Sequence, residues 1–124
     1  MATELVFYQE KPTDVPMADW LDQLPNKSLQ KCLGRLERLE LPGHELRRPE
    51  ADFLTESIYE LRASYQGVHY RMLYFFHKQL AVVVSHGLTK ERAVPPREIA
   101  LALERKSKFE SNPKIHTFKP KKVK

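Results

Sequence analysis

The sequence predicts an α+β domain in which two helices precede a run of antiparallel strands and a last helix follows it. Three observations carry this prediction. Apolar side chains recur at helical spacing from Met17 to Leu39, β-branched and aromatic residues crowd into three dense runs between positions 57 and 88, and Pro95-Pro96 opens a segment that is again helical in its spacing. At 124 residues the chain has the size of one ordinary domain, long enough to bury a core.

Taken in order, Leu5, Val6, Phe7 and Tyr8 form a short β-prone run that Lys11-Pro12 stops. Asp14 is expected as the cap of a first helix with Pro16 in its first turn; Met17, Trp20, Leu21 and Leu24 line one side before Pro25. Asn26 is expected to cap a second helix, in which Leu29, Cys32, Leu33, Leu36 and Leu39 form a core-facing stripe that ends at Leu41-Pro42-Gly43. The two make a helical hairpin. Residues 44–55 are polar and aperiodic and read as a loop. Strands are expected at 57–62, 68–76 and 80–88, joined through 63–67 and 77–79 into an antiparallel meander. Ile99, Ala102 and Leu103 give residues 97–108 an apolar face that packs on the sheet. Beyond Ser111-Asn112-Pro113 the chain is basic and proline-broken, so residues 1–112 are expected as the domain and 113–124 as a flexible tail.

Composition narrows the function. With 41% hydrophobic and 30% charged residues and no apolar run of about 20, no membrane-spanning helix is expected. The first apolar stretch lacks a basic start, so it does not read as a secretory signal, and the single Cys32 forms neither an internal disulfide nor a multi-thiolate metal site. A reducing, cytoplasmic setting follows as the expectation. The net charge of +5 is unevenly spread: residues 105–124 carry eight basic residues against Glu110, while residues 1–104 are slightly acidic. Lys114, Lys119, Lys121, Lys122 and Lys124 are therefore the candidate RNA-backbone contacts, with a merely solvated terminus as the plainer reading.

The chemistry is expected on the strands. A two-residue turn at His77-Lys78 would pair Phe76 with Gln79, setting Arg71 opposite Val84 and His69 opposite His86, all four on one face. Arg62 joins that face if the preceding hairpin has an odd offset, which the 63–67 link leaves open. Imidazoles around guanidinium groups suit RNA cleavage without a metal: histidine moves protons near neutral pH, while the arginine fork stabilises phosphorane oxygens. The plainer readings are a surface strand residue for His69 and a sheet-end hydrogen bond for His86. No close carboxylate pair offers a magnesium site, and four glycines without a Gly-x-Gly run build no dinucleotide loop. No cofactor or metal is expected.

Four ordered motifs, Ile58-Tyr59-Glu60-Leu61-Arg62, Tyr70-Arg71-Met72-Leu73-Tyr74-Phe75-Phe76, Ser85-His86-Gly87-Leu88-Thr89-Lys90 and Pro95-Pro96-Arg97-Glu98-Ile99-Ala100, resemble the RelE/HigB toxin superfamily. The phage-derived HigB-like branch is nearest, and the resemblance covers about residues 3–108. It implies a RelE-like fold, with an N-terminal strand and helical hairpin, a twisted antiparallel sheet and a C-terminal helix. It also implies a toxin that cleaves mRNA, commonly on the ribosome, and is silenced by a cognate helix-turn-helix antitoxin. By the same resemblance Arg71, Arg62, His86 and Lys90 are the catalytic candidates, with His69 and Glu98 as lesser ones, Glu98 orienting basic residues. The chain departs from RelE proper at Glu60, where lysines usually stand, and in having no tyrosine after Tyr74. It departs from the branch at Leu88, where Phe is frequent, and at Glu91, where a basic residue is. The alternatives are a non-catalytic toxin of the gyrase-binding ParE type and a phage RNA-binding regulator.

Overall fold

A computed structural model describes residues 4–40, 50–78, 81–89 and 93–120. Their order is β1 (Glu4–Tyr8), α1 (Pro16–Asp22), α2 (Asn26–Leu39), β2 (Ala51–Thr55), β3 (Ile58–Tyr65), β4 (Val68–His77), β5 (Ala81–Thr89), α3 (Pro96–Ser111), the single turn α4 (Pro113–His116) and β6 (Thr117–Phe118). The strands form one sheet in the order β2-β3-β4-β5-β1-β6. β1 lies parallel to β5 and the other pairings are antiparallel. This is the RelE-like α+β arrangement expected, extended by an edge strand at each side. Among the described residues, no helix is long and apolar enough to cross a membrane.

Period two splits the sheet between two cores. Even-numbered β4 residues Tyr70, Met72 and Tyr74 pack with Leu61 and Ala63 of β3 under Met17 and Leu21 of α1 and Cys32, Leu36 and Leu39 of α2. Odd-numbered Leu73 and Phe75 pack with Ile58, Val83 and Leu88 under Ala102 and Phe109 of α3. A hydroxyl pair, Ser28 Oγ and Tyr70 Oη at 2.8 Å, ties the start of α2 to β4. Gly87 answers to a steric demand: a β-carbon there would run into the indole of Trp20, which lies on the strand from α1.

Several expectations need correction. Neither helix has a side-chain cap: Val15 and Pro25 occupy the cap positions. Asp14 instead closes a tight turn by donating its N–H to the Lys11 carbonyl at 2.9 Å, a turn that Thr13 permits with φ 76°. Asn26 stands inside α2, because Pro25 is already extended with ψ 151°. Residues 51–55, expected as loop, form β2 on β3. The connection is the two-residue turn Glu56-Ser57, both with positive φ, a conformation that glycine or asparagine usually announces. The remainder of that expected loop, 44–49, lies outside the described residues. β3 also runs on to Tyr65, which pairs with Val68 across the turn Gln66-Gly67, so the link has two residues and not five.

From Pro113 the chain continues as α4 and β6, and β6 closes the far edge on β1. His116 fastens it. Its ring stacks on Tyr8 with centroids 5.2 Å apart, and its Nδ1 lies 2.8 Å from the Gln9 carbonyl, which can only accept, so Nδ1 carries the proton. The expected flexible arm is thus, over 113–118, part of the sheet assembly.

Candidate active site

The β4–β5 register decides where the chemistry falls. His77 pairs with Ala81, so the turn is longer than the two residues expected and Phe76 faces Val82. The register then slips by one residue opposite Leu73/Tyr74, a bulge that leaves Ser85 as the extra residue. Val84 consequently faces Tyr74 on the α1/α2 side, while His86 faces Leu73 and Arg71 faces Leu88 on the α3 side. Continued without the bulge, the register would pair His86 with Met72 and turn its ring toward the helical hairpin. The expected Arg71–Val84 and His69–His86 pairings are therefore wrong, yet His86 and Arg71 do share a face. Arg62 joins them directly opposite Arg71.

At the centre stands a residue that the expectations passed over. Glu60, 2% exposed, points to the same face from β3, two residues before Arg62. Its Oε1 accepts from Arg62 Nε at 2.9 Å and Nη2 at 2.8 Å, and its Oε2 accepts from Arg71 Nη1 at 2.8 Å. Asp52, opposite Glu60 on β2, adds an oxygen 3.1 Å from Arg62 Nη2. Two guanidinium groups are thus balanced by two carboxylates. Arg71 is not saturated by this: its Nε is buried with no hydrogen-bond partner among the described residues. The signal for Glu60 was available, since Glu60 and Arg62 at a spacing of two in one β-run must share a face.

Beside the arginines lies a buried relay. His86, 6% exposed, has Ser85 Oγ 2.9 Å from Nδ1 and Glu98 Oε1 2.9 Å from Nε2. Burial, reinforced by the Arg105 charge, holds the imidazole below its usual pKa of 6.5 against the pull of Glu98. The ring is then neutral at neutral pH. An ionised Glu98 only accepts, so the network assigns the proton to Nε2 and makes Nδ1 the acceptor for the Ser85 hydroxyl. Glu98 sits in the first turn of α3, where the helix N-terminus favours a carboxylate, with Arg97 Nε 3.6 Å from its other oxygen.

The chain matches the family model described as Phage derived protein Gp49-like (DUF891) over residues 19–107. It belongs to the Gp49-like family. The matched span runs from α1 to most of α3 and includes Glu60, Arg62, Arg71, His86 and Glu98, leaving β1, α4 and β6 outside. No curated protein matches this chain.

In this Gp49-like protein Arg62, Arg71 and His86 lie on one face of β3, β4 and β5, and Glu98 meets His86 from the first turn of α3. His69 lies two residues along β4 from Arg71, exposed and opposite Ser64, with no bond to the patch. Lys90, Lys121, Lys122 and Lys124 lie outside the described residues. Lys114 is exposed on α4, and Lys119 pairs with Glu4 at 3.2 Å, both at the β6 edge and so across the sheet from Arg62. Among the described residues, no group of three or more His, Cys, Asp or Glu is arranged to hold a metal ion.

The relay makes a pH prediction. His86 titrates lower folded than unfolded, so its neutral form contributes stability that is complete above the unfolded value of 6.5 and lost as pH falls toward the folded value. Urea unfolding should therefore show stability falling with acidification below about pH 6.5, the unfolded reference. His86→Gln should flatten that limb, and an unchanged slope would mean that another group sets it.

Proposed function

We propose that this Gp49-like protein is the toxin of a toxin–antitoxin pair and an endoribonuclease that cleaves mRNA on the ribosome without a metal. One observation carries the reading: Arg62 and Arg71 stand directly opposite each other on adjacent strands, with His86 on the same face of the next strand and bonded to Glu98 of α3. In the step proposed, the ribose 2′-oxygen attacks the adjacent phosphorus, the bond to the 5′-oxygen breaks, and charge accumulates on the non-bridging oxygens. Arg71 and Arg62 meet that charge with planar forks, which hold two oxygens where a lysine would offer a point charge. His86 and Glu98 move the proton. Glu98, with its side chain 23% exposed and held by His86 behind it, is the member that reaches solvent: it takes the 2′-hydroxyl proton, and a proton returns through the pair to the departing 5′-oxygen. Lys90 is assigned to phosphate contact.

The test is a defined mRNA incubated with purified protein, with and without ribosomes, and mapping of the new ends. Ribosome-dependent cuts that survive chelation of divalent cations from the cleavage step support the reading. Growth arrest with intact mRNA would move it to a binding toxin of the gyrase-inhibiting kind, and co-expression of a neighbouring helix-turn-helix protein should restore growth in either case. The lysine-rich end is assigned to backbone affinity and not to chemistry. Replacing Lys121, Lys122 and Lys124 by serine should flatten the logarithmic salt dependence of RNA binding by at most about 2, at about 0.7 per single-strand phosphate, and leave single-turnover cleavage unchanged. Equal slopes would remove these lysines from the RNA contact.

A further inference from the structure

We infer that Glu60 is an internal counter-anion that occupies the place of a substrate phosphodiester between Arg62 and Arg71, holding both forks in position while keeping the empty site from binding stray anions. This rests on the nuclease reading for the identity of the ligand, an RNA phosphodiester, but its physical basis is independent. Two oxygens of one carboxylate receive three N–H groups from two arginines on neighbouring strands, the same demand that two non-bridging phosphate oxygens make. With Asp52 included, the patch is electrically balanced, so it offers little long-range attraction to an anion.

Two features distinguish a placeholder from a plain structural ion pair. The Glu60 carboxylate is almost wholly buried, whereas its partners are not, with side chains 34% exposed at Arg62 and 14% at Arg71. Part of the Arg62 side chain, and less of Arg71, therefore stays accessible beside a fixed internal anchor. Arg71 also keeps a buried Nε without an acceptor among the described residues, so its donor set has room for an oxygen that Glu60 does not supply. A phosphate that reaches the arginines from the open side finds guanidinium groups already oriented, and part of their charge passes from Glu60 to it. Glu60 is a positioning residue in this scheme. The carboxylate is too enclosed to take a proton from the 2′-hydroxyl itself.

The experiment is titration of inorganic phosphate into the full chain, followed through the Nε–H signals of Arg62 and Arg71 by NMR, for the wild type and Glu60→Gln. Glutamine preserves shape and one acceptor oxygen but removes the charge. Phosphate affinity should rise on the order of tenfold in the variant, as expected for one like charge removed from a partly shielded site. In cleavage, KM should fall and kcat should fall with it, because the forks lose their anchor; a purely structural role would lower thermal stability without that split. Asp52→Asn removes charge from the rim of the patch and should give a smaller rise in phosphate affinity, and it carries the test if Glu60→Gln does not fold. Folded variants that bind phosphate no more tightly than wild type overturn the inference. Tighter phosphate binding at the two arginines with no RNA cleaved by any form upholds it and removes the nuclease reading instead.

Discussion

Replacing Arg71 by alanine should slow mRNA cleavage by about 10²- to 10³-fold, the usual cost of losing one preorganised contact to transition-state charge. Read from the sequence alone, this arginine looks like an exposed strand residue whose loss would scarcely disturb folding. The structure changes that second expectation. Arg71 is only 14% exposed and its Nη1 satisfies Oε2 of the buried Glu60, so alanine strands a buried carboxylate oxygen. Destabilisation of about 1–3 kcal/mol should accompany the loss of activity. Single-turnover cleavage must accordingly be measured well below the variant's melting temperature, with RNA binding as the control. Arg71→Lys should recover part of the stability, because an ammonium can still meet Glu60, while cleavage stays strongly impaired for want of a second prong. Wild-type cleavage by a folded Arg71→Ala would show that the arginine pair is not the site.

The second large effect is expected far from any charge. Gly87→Ala should destabilise by about 1–3 kcal/mol, the range for overfilling a packed site, because the added methyl group meets the six-membered ring of Trp20 and not a flexible side-chain end. The indole cannot simply withdraw, since it packs in a T-shaped arrangement with Tyr70 at a centroid distance of 6.2 Å and Tyr70 is itself tied to Ser28. Trp20→Leu should be destabilising alone yet relieve the cost of Gly87→Ala, so a double-mutant cycle by urea unfolding should be strongly non-additive. Additive values would mean that the strand, and not the indole, gives way. Because Gly87 adjoins His86, a shifted strand should also disturb the relay to Glu98.

These two positions show what could be read in advance. The dense β-runs and the helical stripe declared themselves through periodicity, because each must bury one face, and the same alternation placed Arg71 and His86 on one face while leaving the side of Arg62 open. Register was another matter. It depends on the number of residues in the His77 turn and on one bulge at Ser85, and neither leaves a compositional mark; two errors of parity cancelled beyond the bulge, so Arg71 and His86 share a face as expected, while Val84 turns to the other side and every expected β4–β5 pairing was wrong. The edge strand β2 was missed because Asp52 serves the arginine patch and Phe53 remains 54% exposed, which hides the usual apolar alternation. Glu60 was noticed only as a departure from a lysine pattern. Its partners lie two residues and eleven residues away, and the second contact exists only once β3 and β4 are in register.

β1 has a consequence for the timing of synthesis. β1, which is made before every other described strand, is also the one inserted between β5 and β6, and its partners are residues 81–84 and 117–118. Until those residues emerge, Leu5, Val6, Phe7 and Tyr8 lack the strands they pair with in the finished sheet. Closure joins segments more than seventy residues apart in sequence, the kind of long-range pairing that folds slowly. A chain stopped before β5 lacks the strand that carries His86, and one stopped before α3 lacks Glu98, so the pair forms only after residues 81–98 have been made.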